Sequence, residues 1–332
     1  MRLENIIALT HGTLVNKPFV NNFENIVFEI KSIKRGDLFI AFDETLIQEA
    51  IFNGAYGVLF DKPTQISDTE IAWIKVDSVT DALKRLLRFR LIEKEVRVYE
   101  CNEIILKLAL QVITEPNFIA ISGNIQETYK SLWDACQNTH ILFCPTLTDK
   151  DIFTNIKTLS SNVIEPITIM EQTLFETSFI YDNVFYERQL ISPFFIPYLE
   201  ELLHLYKTLK INFRLRKFTP IEHFQAVFTN KKFEIKEFGT SDKVLIFEPN
   251  VSLIKSEISF LKKQANWAKI IYILPESSYE IEDTEHILFY KNKKEILSLL
   301  REATFHFALI VGVDKSILSQ PIYHHTQLTL EF

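Results

Sequence analysis

Glycine is scarce in this chain, with 7 in 332 residues, where average usage of about 7% would place roughly 23. A function built on glycine-rich phosphate loops is therefore disfavoured, because such loops need glycine where backbone N–H groups approach an anion. Cysteine is scarce as well. Cys101, Cys136 and Cys144 are odd in number and irregularly spaced, which excludes a disulfide scaffold, and no CxxC pair supports structural zinc. Positive charge is short: 36 Lys and Arg against 43 Asp and Glu leave a net charge of −7. A dedicated nucleic-acid binder shows a basic balance or stripe, so no direct nucleic-acid partner is expected. No apolar run approaches the ~18 residues of a membrane span. Runs such as 270–274 and 308–311 are strand-sized, and the apolar run at 6–9, flanked by Glu4 and His11, does not make a signal peptide. A cytoplasmic location is expected.

What the chain does have is core-forming material. Apolar residues make up 47% and Phe alone numbers 28, so intrinsic disorder is excluded as the main theme. Short apolar runs alternate with helix-period segments. Residues 38–42, 57–60, 71–76, 97–100, 118–122 and 141–144 read as strands, and 46–53, 79–91, 103–112 and 128–137 as helices. Residues 179–186 read as two short strands around Asp182-Asn183, a hairpin-turn pair. Pro197 suits the first turn of a helix running to Tyr206. In the last third, 243–247, 269–274 and 308–311 read as strands. Val251, Ile254, Ile258 and Leu261 fall at helical spacing, and Asn292 with Glu295 makes a capping-box start for another helix. Strands alternating with helices predict α/β layers with largely parallel sheets. Linker candidates lie near 92–95, 115–117 and 212–217.

The run Ile33-Lys34-Arg35-Gly36-Asp37-Leu38-Phe39-Ile40-Ala41, followed by Glu49-Ala50 and Gly54-Ala55-Tyr56-Gly57-Val58-Leu59, resembles the N-terminal domain of the Mur ligases. The likeness is greatest to the member that adds D-Ala-D-Ala to a UDP-muramoyl tripeptide. Gly36 permits a turn into the strand and Gly54 ends the helix by taking φ > 0. Phe118-Ile119-Ala120-Ile121-Ser122-Gly123-Asn124 is similar to the start of that family's ATP phosphate loop. Residues 199–211 resemble the helix that closes its central domain, Phe218-Thr219-Pro220 the start of its C-terminal Rossmann-like domain, and 308–316 its last strand and turn. The resemblance implies a three-part α/β architecture. Residues 1–93 would form a substrate-type domain, 94–212 a shortened central ATPase-like domain, and 213–332 a C-terminal Rossmann-like domain.

The chemistry-bearing motifs depart from the family pattern. Where the family's phosphate loop reads T-G-S-N-G-K-T-T, this chain has Ser122, Gly123, Asn124, Ile125, Gln126, Glu127, Thr128 and Tyr129. Gln126 replaces a glycine, and Glu127 replaces the lysine that neutralises phosphate. That change swaps about 4 kcal/mol of attraction for similar repulsion at roughly 4 Å and an effective dielectric of about 20. Lys130 lies on the next helical turn. Thr128 stands where a magnesium ligand would. The uridine-binding D-S-R aligns with Glu29, Ile30 and Lys31, and Lys does not reproduce the bidentate phosphate grip of Arg. About 50 residues separate Lys130 from Tyr181, too few for the rest of the ATPase sheet when one strand–helix–strand unit takes about 30. The C-terminal D-D-x-Y-N-A-N-P corresponds loosely to Phe247-Glu248-Pro249-Asn250, and the final K-G-S to Val311-Gly312-Val313.

These departures imply a catalytically inactive homologue with no catalytic residue, no metal and no cofactor. Ser122, Gly123, Asn124 and Thr128 would be a vestigial phosphate loop, and Glu29 and Lys31 a vestigial substrate site. Such a protein would bind a partner in cell-wall synthesis. Two readings stay open beside it. One is an active ATP- and magnesium-dependent amino-acid ligase using Lys130 as its cation. The other is a UDP-sugar binding module around Glu29 and Lys31.

Other constellations read as structural. Neither a Gly-x-Ser-x-Gly elbow nor HExxH is present. His324 and His325, adjacent on a strand or tail, would face apart and do not make a metal pair. His11 and His140 are expected to be structural. Glu200 and Glu201 diverge by about 100° on a helix and read as a solvated edge. The terminal Gln327-Leu328-Thr329-Leu330-Glu331-Phe332 resembles peptides that dock on the bacterial sliding clamp through Gln327, Leu328, Leu330 and Phe332. An edge strand or loose tail is the alternative.

Overall fold

The computed structural model describes residues 1–159, 166–241, 243–278 and 286–319. The chain divides into two compact units, Met1–Val163 with His204–Leu215, and Ile164–Leu203 with Arg216–Phe332.

In the first unit, a five-stranded sheet runs in the order Thr13–Leu14, Ala72–Lys75, Gly57–Phe60, Leu38–Ile40 and Ile26–Val27, all parallel except the first. Leu38–Ile40 and Gly57–Phe60 are buried at every position, as expected of strands covered on both faces. Gly36 at φ 99° turns the chain into its strand, and Gly54 at φ 106° follows helix Ile47–Phe52, both as the sequence predicts. Asp37 between them is 1% exposed. Its carboxylate accepts the backbone N–H groups of Asn25 and Lys34 at 3.2 and 2.8 Å and the Asn25 side-chain amide at 3.0 Å. The Gly36-Asp37-Leu38 run is thus a framework device that ties two loops together.

Helix Val79–Glu93 opens on Ser78, whose hydroxyl accepts the Asp81 N–H at 3.2 Å. It buries Leu83, Leu86, Leu87 and Leu91 in a core continuous with Ile121, Tyr129, Leu132 and Phe143. Segments 1–93 and 94–159 therefore share one apolar interior. The first helix, Leu3–Thr10, absent from the sequence reading, ends on His11 in the left-handed region at φ 56°. A four-strand parallel sheet follows in the order Lys157–Thr158, Arg97–Glu100, His140–Phe143 and Phe118–Ile121. His140 is buried in it, stacked on Tyr99 at 5.8 Å, and burial pulls its pKa down, which makes it a structural residue.

The second unit carries a three-stranded antiparallel sheet of Thr168–Gln172, Thr177–Tyr181 and Val184–Gln189. Asp182 and Asn183 take φ 49° and 61° in the predicted hairpin turn, the type I′ geometry that matches strand twist. The larger sheet runs Gln225–Thr229, Lys243–Glu248, Phe307–Val311, Ile270–Pro275 and Ile287–Tyr290, parallel except for the first strand. Helices Ile254–Gln264 and Ile296–Glu302 accompany it, the second preceded by the Asn292–Glu295 capping box. Strands Ile26–Val27, Gln225–Thr229 and Ile287–Tyr290 were not legible as alternating patterns. The first is only two residues long, and the last is half-buried along three of its four positions.

Among the described residues no helix is long and apolar enough to cross a membrane, and none of Cys101, Cys136 and Cys144 forms a disulfide.

Candidate functional site

The loop after strand Phe118–Ile121 is where the sequence places phosphate chemistry. Helix Ile125–Leu132 begins there, three residues earlier than its periodicity suggested, because Asn124 caps it. The Asn124 side-chain oxygen accepts the N–H groups of Gln126 and Glu127 at 2.9 and 3.0 Å, and the Glu127 carboxylate accepts the Asn124 N–H at 3.0 Å. A capping box satisfies the donors that a helix N-terminus would otherwise turn towards an anion. Gly123, at φ 135°, makes this possible. A Cβ there would lie 2.0 Å from Glu127 Oε2, so the carboxylate occupies the space beside the loop backbone.

Thr128 does not face the loop mouth. It is 2% exposed, and its buried hydroxyl has no hydrogen-bond partner. Lys130 points elsewhere too, with Nζ paired to the Glu29 carboxylate and 5.5 Å from the Phe28 ring centroid. The structure thus brings Glu29 to the helix that carries Thr128 and Lys130, a contact across 101 positions of sequence. Both side chains of the pair are more than half exposed. A cavity of about 310 Å³ lies beside them, walled by Asn25, Glu29, Ser32, Tyr129, Lys130 and Asp134. Lys31 is exposed on the one-turn helix Ile30–Ser32 and does not line that cavity. No group of three or more His, Cys, Asp or Glu among the described residues is arranged to hold a metal.

In the second unit, Glu248 ends strand Lys243–Glu248 and is wholly buried. It accepts from His223 Nδ1 at 2.8 Å, Phe224 N at 3.0 Å and Asn250 N at 2.7 Å. Glu257, also wholly buried, faces it from helix Ile254–Gln264. Burial, then the Glu248 charge, push the Glu257 pKa well above the usual carboxylate range, which favours its protonated form. Sequence reasoning missed this cluster. One signal was present, since Glu257 lies on the same helical stripe as Ile254, Ile258 and Leu261. Glu200 and Glu201 are not a solvated edge. Glu200 Oε1 accepts the Ile167 N–H at 2.8 Å, and burial raises the Glu201 pKa. The segment 327–332 and the pair His324-His325 lie outside the described residues.

No protein-family model matches the sequence, and no curated protein matches it by sequence comparison. Solved structures do match by shape. One is MurF from Acinetobacter baumannii, with 9% identity, a TM-score of 0.52, and coverage of 93% of this chain and 95% of that one. Another is the MurF ligase from Thermotoga maritima in complex with ADP, with 12% identity, a TM-score of 0.50, and coverage of 89% and 95%. At such identities the likeness speaks of the fold alone. This chain has the multi-domain α/β fold of the Mur ligases, in the form that MurF ligases take.

Proposed function

We propose that this protein is a catalytically inactive Mur-ligase homologue that acts by binding a protein partner in peptidoglycan synthesis. The observation that carries the reading is the occupation of the phosphate loop by its own side chains: Glu127 bonds the Asn124 N–H, and Asn124 bonds the next two N–H groups of the helix. A nucleotide phosphate arriving there would find these three donors taken and a carboxylate in place. A like-charge pair at roughly 4 Å is unfavourable by about 4 kcal/mol at an effective dielectric of about 20. The active-ligase alternative needs Lys130 turned into the loop, and its pairing with Glu29 on the surface argues against that. The link to peptidoglycan rests on the shared fold.

The test is calorimetric titration of ATP with magnesium into the purified protein, with a thermal-shift series alongside. The reading expects neither heat nor shift up to millimolar nucleotide. Saturable binding that disappears in Lys130→Ala would overturn it in favour of an ATP-dependent ligase.

A further inference from the structure

The second unit holds a cavity of about 800 Å³. It opens at the amino ends of strands Lys243–Glu248 and Phe307–Val311, where Val244 and Phe307 line it. At the opposite ends, Glu248 is the last residue of the first strand and Gly312 follows the second. Aromatic rings form much of the wall. Phe175 sits 6.0 Å from Phe228 and 6.3 Å from Phe307, Phe228 is 4.8 Å from Phe238, and Trp267 meets Phe307 at 6.0 Å. Two of these rings remain open to solvent: Trp267 is 71% exposed and Phe238 is 47% exposed. Single exposed apolar residues are ordinary, but two exposed rings on one concave wall leave stacking surface uncovered.

The polar side of the cavity is equally specific. Gln172, Thr173, Glu176 and Arg188 also line an adjoining cavity of about 610 Å³, together with Glu171. Arg188 Nη2 stands 3.7 Å from Glu176 Oε2, too far for a hydrogen bond. The pair therefore presents an acceptor and a donor group side by side with their directional bonding capacity unspent. Counting Glu171, this end carries two carboxylates against one guanidinium. That balance disfavours phosphates and favours a group bearing an ammonium. His306 Nδ1 accepts the Lys269 N–H at 2.9 Å, so the neutral ring carries its proton on Nε2 and adds a donor to the rim.

We propose that this cavity binds an aromatic α-amino acid unit, with the ring against Trp267, Phe238 and Phe175, the ammonium on Glu176, and the carboxylate or carbonyl oxygen on Arg188. The unit can come as the free amino acid or as the N-terminal residue of a peptide. Both present a ring, an ammonium and an acceptor oxygen at the same spacing. The aromatic wall reinforces the choice, because rings attract a nearby cation through their electron-rich faces.

The test titrates L-tryptophan, L-phenylalanine, the dipeptide Trp-Gly and N-acetyl-tryptophan into the full chain by calorimetry, with AMP as the phosphate-bearing planar control. Saturable binding is expected for tryptophan or Trp-Gly. N-acetylation, which removes the ammonium, is expected to weaken it by at least about tenfold, the loss of one charge-assisted hydrogen bond. Trp267→Ala and Glu176→Gln should each weaken binding comparably while leaving the thermal unfolding midpoint nearly unchanged, which separates a lost contact from a lost fold. Tighter binding of Trp-Gly than of tryptophan assigns the site to a peptide terminus, and the reverse to the free amino acid. No saturable binding of any aromatic compound, equal affinity for N-acetyl-tryptophan, or preferential binding of AMP would overturn the proposal. The ATP titration above reads a different loop, so either proposal can fail without the other.

Discussion

The Glu127 carboxylate accepts the Asn124 backbone N–H at 3.0 Å, while the Asn124 side chain accepts the N–H groups of Gln126 and Glu127. This reciprocal pair makes the loop a helix cap with its own negative charge built in. Removing the cap should therefore cost stability and leave nucleotide affinity where it was. Asn124→Ala is expected to destabilise the protein by about 1 kcal/mol, read as a lower denaturant midpoint with an unchanged slope. ATP heats should stay at baseline in the same variant.

Gly123→Ala tests the same loop from the backbone. The residue sits at φ 135°, and an added methyl would lie 2.0 Å from Glu127 Oε2. The side chain must leave or the backbone must shift, and a non-glycine residue is strained at that φ in either case. A loss of about 1 to 3 kcal/mol is expected, measurable by chemical unfolding. A substitution with no effect would mean that the capping box is not formed in solution.

Lys130→Ala should do little to stability. The Lys130–Glu29 pair is more than half exposed on both sides, and surface pairs of this kind contribute between 0 and about 1 kcal/mol. The thermal midpoint should move slightly, and less in high salt.

Asp37→Ala should be far more damaging. It leaves the N–H groups of Asn25 and Lys34, whose bonds to it are part-buried, without their acceptor, and losing a fully buried acceptor costs about 1 to 3 kcal/mol, an upper range for each. An expected total of about 2 to 4 kcal/mol would show in equilibrium unfolding and would identify the motif's acid as a structural residue.

Glu257 ties stability to pH. Its folded-state pKa is raised by burial and by Glu248 above the ordinary value of 4.5, so the folded protein keeps a proton that the unfolded chain releases. The associated stability is fully present below that ordinary value and is lost as pH rises through the folded value. Glu257→Gln keeps the shape and removes the titrating group. Its unfolding free energy, measured from about pH 5 to about pH 9, should fall less with rising pH than that of the parent protein. Parallel curves would sink the assignment of this pH dependence to Glu257.

Local devices were readable from the residues alone. Gly36 and Gly54 mark their turns because few other residues take φ near 100°. Asp182-Asn183 announces a hairpin, and Asn292 with Glu295 a capping box, because each device is completed within four residues. The order of strands and helices was readable for the same reason, since burial on one or both faces imprints a period on the chain. Two local readings slipped. Helix Ile125–Leu132 starts at its cap and not at its first apolar residue, and Glu200 looked solvated although it binds the Ile167 N–H.

The rest depends on residues far apart in sequence. Lys130 meets Glu29 across 101 positions, and His223 meets Glu248 across 25. The aromatic cavity draws on Phe175, Phe238, Trp267 and Phe307, from four separate segments. No local pattern encodes such meetings, because they arise when packed sheets bring loop ends together. Which charges are exposed and which rings stay uncovered follow from that packing. Composition and spacing set the elements and their order, while long-range burial determines the electrostatics of the sites.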